Sequence, residues 1–323
     1  MDTQVGSNIG IAKKYLDDGF AVGIPTETVY GLAANAFNED AVSQIFKIKN
    51  RPVFDPLIVH VADLEAVGRI TTHIPENAKK LAEEFWPGPL TLILIKSSLI
   101  SDLVTSGQST VGVRIPRHVL TLDLLKALEY PLAAPSANPF KYVSPTSAQH
   151  VINQLSGKLP YILDGGHCEV GLESTIVSFD DETPVILRLG GITVNQVKAI
   201  CPDVRVKIQH LPDSVTIPGQ LLKHYAPTVP FIPLKQDSGS IKEDDESIGY
   251  LFFNKPNEQI LKNSKSNIKW LTQNANMNQA ASNLYSKLRE FDGQNLNRVY
   301  FEWAPDEGLG KAINDRLERA QSK

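Results

Sequence analysis

Cysteine is scarce in this chain of 323 residues. Its two thiols, Cys168 and Cys201, have no CxxC spacing, which argues against a zinc site and against a disulfide framework. Long apolar runs are missing too, and none reaches the ~18 residues that would suggest a membrane span. The opening Met1-Asp-Thr-Gln-Val-Gly-Ser-Asn has no basic stretch followed by an apolar one, so no secretory signal is read. Charge of one sign is not in excess: the net charge of −4 provides no global basic field to gather nucleic acid. Three motifs are absent. There is no GxxxxGK(S/T), no GxGxxG after a strand, and no GxSxG elbow around Ser136. A P-loop, a dinucleotide fingerprint and a serine hydrolase are thereby disfavoured. No internal repeat is found. What remains is an ordinary globular composition, 42% apolar and 21% charged, with chain enough for two domains and a cytoplasmic location expected.

The chain is organised around Lys47 to His60. Three cations, Lys47, Lys49 and Arg51, sit at an expected helix end. Pro52 and Pro56 hold the following loop, and the apolar strand Leu57 to Val61 carries a polar His60. Cations favour helix C-termini on their own account. A rigid loop that feeds a strand also suits an anion, which arginine holds as a fork and lysine as a point charge.

Around this stretch the pattern predicts helices over 8–18, from Asn38 or Glu39, over 75–86, through Leu120 to Leu128, from Ser144-Pro145, and over 193–200. Strands are predicted at 20–24, 57–61, 90–95, 111–115, 132–135, 161–163, 174–179, 184–189 and 204–208. Many strands among few helices predict a twisted mixed sheet. Beyond a proline-rich linker, 209–228, strands at 229–234, 248–253 and 298–303 alternate with helices near 277–290 and 310–321. These predict a smaller parallel α/β domain, with 235–246 and 254–265 as polar loops. The expected domains are 1–208, a linker 209–228, and 229–323.

Candidate chemistry lies at strand ends, where open α/β sheets bind ligands. Thr26, Glu27, Thr28 and Tyr30 offer hydroxyls and a carboxylate after the first predicted strand. They are also ordinary strand and turn formers. Ser136 and Asn138 follow Pro135, as turn formers often do. Arg188 lies within an apolar strand and needs a counter-charge or an anion; Glu173 could be that partner without any ligand. The glycines of Asp164-Gly165-Gly166 would allow close approach of a ligand. A nucleotide here would have to be held by side chains, with Lys49, Arg51, Arg114, Arg188 and Lys223 as candidates.

Eleven segments in this order resemble one family. They include Pro-Thr-Glu-Thr-Val-Tyr-Gly-Leu at 25–32, Ile-Phe-Lys-Ile-Lys-Asn-Arg-Pro at 45–52, Trp-Pro-Gly-Pro-Leu-Thr at 86–91 and Val-Gly-Val-Arg-Ile-Pro at 111–116. Ala-Pro-Ser-Ala-Asn at 134–138, Gly-Leu-Glu-Ser-Thr-Ile-Val at 171–177 and Gly-Leu-Gly-Lys-Ala-Ile-Asn-Asp-Arg-Leu at 308–317 are among the others. The chain resembles the threonylcarbamoyl-AMP synthase family in its two-domain form. That resemblance implies an α/β fold, with a twisted mixed-sheet YrdC-like domain and a smaller Rossmann-like α/β domain. It implies synthesis of threonylcarbamoyl-AMP and pyrophosphate from L-threonine, bicarbonate and ATP, for N6-threonylcarbamoyladenosine in tRNA. The catalytic Lys-x-Arg and Ser-x-Asn motifs would be Lys49, Arg51, Ser136 and Asn138. Threonine would be held by Thr28, His60, Arg114, Ala134 through its backbone, and Ser174. ATP would be held by Arg51, Asp55, Thr110, Ser136, Ser144, Arg188 and Tyr225. Val53-Phe54-Asp55 departs from the more polar residues of many relatives, and a carboxylate beside phosphates would need Mg2+ or a water between them. Mg2+ is expected with ATP, with no organic cofactor. The tRNA threonylcarbamoyl transferase machinery is the expected downstream partner. The linker, with Lys223, His224 and Tyr225, is expected to fold over the site as a lid. Two other readings stay open: an RNA-binding module using Lys47, Lys49, Arg51, Arg117 and Lys141, and another carbamoyltransferase on the same fold.

Overall fold

The computed structural model describes residues 2–208, 225–234 and 244–321. Most of the expected linker, including Lys223 and His224, lies outside the described residues. So does the expected lid, apart from Tyr225. The chain forms two compact units. The first is built from Met1–Phe140, Ser144–Glu169 and the described residues from Glu173 to Ile208. The second takes Lys141–Val143, Val170–Leu172 and the C-terminal residues.

The first unit is a mixed 12-stranded sheet. Its middle runs, neighbour by neighbour, through Gly31–Asn35, Leu132–Ala133, Ile58–His60, Thr110–Arg114, Leu90–Lys96, Thr175–Asp180 and Thr183–Arg188. Neighbours pair both ways. Ile58–His60 runs parallel to Thr110–Arg114, and Leu90–Lys96 runs antiparallel to it. One face is closed by helices over a continuous core that includes Val59, Leu92, Leu94, Val111, Val113 and Val177. Period-2 alternation sends the intervening residues to the other face. There Ile58 and Ile176 are buried, with Ile93 and Leu187 packed against them.

Helix Glu39–Lys49 shows how local chemistry sets the entry to the site. The Asn38 side chain accepts from the Ala41 N–H, Glu39 and Asp40 occupy the first turn, and Lys47 and Lys49 the last. All three features complement the unsatisfied groups and the dipole of a helix. Asn50 ends it in the left-handed region at φ 51°, which Asn tolerates.

Several expectations are corrected here. The helix expected from Ser144 begins at Ala148, with the Ser147 side chain accepting from His150 N–H. Strand Gln4–Gly6 and helix Leu64–Ile70 are additional. Strand Gly31–Asn35 is additional as well. Its Gly-Leu-Ala-Ala-Asn composition has little β-propensity; burial against its neighbours places it.

The second unit has a four-stranded parallel sheet in the order Phe231–Pro233, Arg298–Phe301, Ile248–Asn254, Asn267–Thr272. Strand Asn267–Thr272 and helix Glu258–Asn263 went unread, because their polar surroundings hide both periods. The 254–265 loop therefore carries a helix. Among the described residues, no helix is long and apolar enough to cross a membrane.

Candidate functional site

The site lies on the face of the first unit's sheet opposite that core, where strand ends bring distant side chains together. His60 and Arg114 are paired in register on adjacent parallel strands. Arg114 is 4% exposed and held on three sides. Its Nε donates to the Gly88 carbonyl at 3.1 Å, one terminal nitrogen to the Thr28 hydroxyl at 2.9 Å, and the other to Glu27 at 2.6 Å. The second Glu27 oxygen accepts from the Arg117 backbone N–H at 3.0 Å. A guanidinium has five N–H donors. These contacts engage three, and the remaining two are the number a carboxylate takes in a fork.

Thr28 is positioned by its own loop. Thr26 Oγ1 donates to the Val29 carbonyl at 2.7 Å and lies 2.8 Å from Thr28 Oγ1. The loop is stitched on by Tyr30 N–H to Pro145 O, Leu32 N–H to Pro135 O and Ala137 N–H to Tyr30 O, each at 2.8 Å. These bonds bring 25–32, 134–138 and 144–146 together, although more than a hundred positions separate the first from the others. Ala134 donates its N–H to Ile58 O at 2.9 Å.

Beside Arg114, Ser174 Oγ lies 2.7 Å from Thr91 Oγ1. Arg188 donates to the Ser174 carbonyl at 2.8 and 3.0 Å and to its hydroxyl at 3.0 Å. Gly190 makes this junction possible, because a Cβ there would come within 2.3 Å of the Glu173 carbonyl. Ser144 donates to Glu173 at 2.7 Å. Thr91 and the Gly88 carbonyl were not singled out from sequence. Their segment, 86–91, was quoted only as part of a resemblance, and nothing local marks a threonine in an apolar strand as part of a site.

Arg51 lies on the loop that leaves helix Glu39–Lys49. It pairs with Asp55 at 2.8 Å, donates to the backbone carbonyls of Asp55 and Pro56, and lies 5.9 Å from the Phe140 ring centre. Asp55 is therefore the partner of Arg51. Lys49, two residues earlier, is 1% exposed and donates its ammonium to the carbonyls of Ser136 and Asn138. Thr110 lies at the far end of the same face as Arg114. It lines a cavity of about 570 Å³ with Ile93, Ile95, Ser178 and Leu187.

Electrostatics follow burial. Desolvation pushes the His60 imidazole down to about 3, helped by the Arg114 charge and opposed by a hydrogen bond to Ile58. His60 is therefore neutral at pH 7, and its Nδ1 is buried without a partner. Burial, and next the Arg51 charge, hold Lys49 well below the usual lysine range, with Asp55 opposing.

Two of the expected groups have the following surroundings. Tyr225 belongs to the second unit, where it is 1% exposed. It stacks on Tyr285 with centres 5.6 Å apart, and the Arg316 and Arg319 guanidinium carbons lie 5.1 and 4.6 Å from its ring. That packing accounts for its burial. The five cations proposed as an RNA-binding face form no exposed strip, since Lys49 and Arg51 are buried and Arg117 pairs with Glu169 at 2.8 Å. Among the described residues, no group of three or more His, Cys, Asp or Glu could hold a metal ion. Both cysteines are buried, and neither is in a disulfide.

Comparison with known proteins bears on both units. A family model described as "Telomere recombination", named for Sua5, YciO and YrdC, matches residues 14–190. A model described as "Threonylcarbamoyl-AMP synthase, C-terminal domain" matches residues 192–322. The chain is 36% identical over 319 residues to a threonylcarbamoyl-AMP synthase of Pyrococcus abyssi, covering 97% of this chain and 93% of that one. It is 39% identical over 322 residues to one from Bacillus subtilis, covering 97% and 92%. The crystal structure of P. abyssi Sua5 complexed with L-threonine superposes with a TM-score of 0.87 at 33% identity, covering 99% of this chain and 97% of that one.

Proposed function

The chain belongs to the threonylcarbamoyl-AMP synthase family, and from that premise we propose how its groove carries out the reaction. Its activity is synthesis of L-threonylcarbamoyladenylate, from L-threonine, bicarbonate and ATP with release of pyrophosphate, for N6-threonylcarbamoyladenosine in tRNA. The threonine amine attacks the bicarbonate carbon, water is lost, and a carbamate forms. A carbamate oxygen then attacks the α-phosphorus, and pyrophosphate leaves. The carbamate reverts in water, so the reaction needs an enclosed site. Transfer to phosphorus calls for positioning and charge stabilisation more than for a protein nucleophile.

The single observation that carries the residue assignment is Arg114, buried and held on three sides with two donors to spare. They fit the threonine carboxylate. Thr28 and Ser174 flank it with hydroxyls, and the neutral His60 presents its unpartnered Nδ1. Ala134, whose N–H is committed to Ile58, offers its carbonyl. A relative of this fold was solved complexed with L-threonine, which supports threonine as the substrate. The phosphates go to Arg51, Ser136, Ser144 and Arg188, with Asn138 shaping the turn that carries Ser136. Thr110, at the apolar end of the groove, receives the rest of the nucleotide. Asp55 acts on ATP through Arg51.

Asp55, Glu27 and Glu173 each accept from a protein donor already. They do not form a carboxylate cage, so Mg2+ would arrive on the triphosphate as part of the substrate, neutralising the leaving pyrophosphate. The unstable product calls for a transferring enzyme at hand. A cytoplasmic reaction is part of this proposal.

The test is ATP-dependent pyrophosphate release with threonine and bicarbonate omitted in turn. Release should require all three. Arg51→Ala should lower kcat by at least about 10²-fold while the circular dichroism stays native. Release without threonine, or full activity in that variant, would sink the reading.

A further inference from the structure

We infer that Lys49 is a positioning residue, tying the end of helix Glu39–Lys49 to the Ser136–Phe140 segment without touching substrate. The inference rests on the proposed role of Ser136 and departs from the family resemblance, which places Lys49 among the catalytic residues.

Three bonds from this one residue hold the segment. The ammonium donates to the Ser136 carbonyl, and to the Asn138 carbonyl at 2.5 Å. In return, the Lys49 carbonyl accepts from the Phe140 N–H at 2.8 Å. Two of the three ammonium donors are spent inside the protein, and the side chain is 1% exposed. On its other side, the segment is fixed by Ala137 N–H to Tyr30 O and by a bridge between Gly31 and Ser136. The turn bearing the Ser136 hydroxyl is therefore clamped between helix and sheet, and Lys49 is the clamp on the helix side.

Two carbonyl oxygens converge on one nitrogen, which has a donor for each. Arg51 is the more open of the two cations, at 8% exposure, and arginine is the residue suited to phosphate recognition. The motif thus divides its labour: Arg51 faces ligand and Lys49 holds the wall. Misplacing a catalytic group by about 1 Å can cost ~10²-fold in rate, so a clamp can be as necessary as a ligand contact.

The test has two parts. In the intact wild-type protein, acetic anhydride labelling read by mass spectrometry should leave Lys49 unmodified, with and without α,β-methylene ATP. In Lys49→Met, amide exchange over 136–140 should quicken by at least about tenfold, with kcat down by roughly 10²-fold and KM for ATP changed by less than about threefold. A Lys49 that labels freely and is protected by the analogue would overturn the inference. So would unchanged exchange in Lys49→Met with a large rise in KM for ATP. If Lys49→Met does not fold, the labelling decides alone. Faster exchange with turnover intact would support the clamp and count instead against Ser136 as a nucleotide contact.

Discussion

Arg51 and Arg114 each meet a carboxylate, yet the two pairs are built differently. Asp55 stands four positions from Arg51 on the same short loop, and the arginine is further satisfied by the carbonyls of that loop. Glu27 stands 87 positions from Arg114 and bridges it to the Arg117 backbone. The first pair is local, and can rearrange when its loop does. The second joins the 25–30 loop to the end of strand Thr110–Arg114, so its geometry is set by the fold. A phosphate that must enter and leave suits the first arrangement. An amino-acid carboxylate held for two successive steps suits the second.

The contrast is tested most severely by removing the carboxylates. Glu27→Ala leaves a buried guanidinium without its anion and should cost about 3–5 kcal/mol in a urea melt. Asp55→Ala should cost only about 1–2 kcal/mol, because Arg51 keeps its backbone acceptors. Equal losses would erase the distinction between local and long-range pairs.

A smaller effect comes from pH. The His60 imidazole is pushed down to about 3 in the folded chain, against ~6.5 unfolded. Between these values the unfolded chain binds the extra proton. The stability from a neutral His60 is therefore complete above ~6.5 and is lost as pH falls toward 3. Linkage puts the loss at about 2 kcal/mol between pH 7 and 5. Thermal melts of His60→Gln should lack that part of the acid limb. An unaltered limb would mean that His60 is not so deeply desolvated at the Arg114 end.

Smallest is Thr91→Val. It removes one partner of Ser174 while leaving Arg188 in place, so about 1 kcal/mol of stability should go, with KM for threonine raised a few-fold. A loss as large as that of Glu27→Ala would make Thr91 the main support of this end of the groove.

Much of this was legible beforehand. Polar or charged residues at apolar strand ends, such as His60, Arg114 and Arg188, mark a site because burial demands a partner. Helix Glu39–Lys49 and its cap could be read from Asn38 and the charge order. Lys49 could not be placed. Its sequence position reads equally as a solvated helix end or a phosphate ligand, and its acceptors are backbone carbonyls, which no residue type announces. Thr91 was hidden for a similar reason, since its partner comes from a strand 83 positions away. Tyr225 was singled out from its motif, while its packing on Tyr285 and two arginines of its own unit was not legible.

The sequence by itself determined the elements whose apolar period is strong, the two-part organisation and the residue types of the groove, because these depend on local patterning and motif order. Only the tertiary structure decided which partner each buried charge takes. Glu27 with Arg114, Thr91 with Ser174, and Lys49 with the carbonyls of 136 and 138 meet through strand register and loop stitching, and no local rule fixes a contact across 83 to 89 positions of chain.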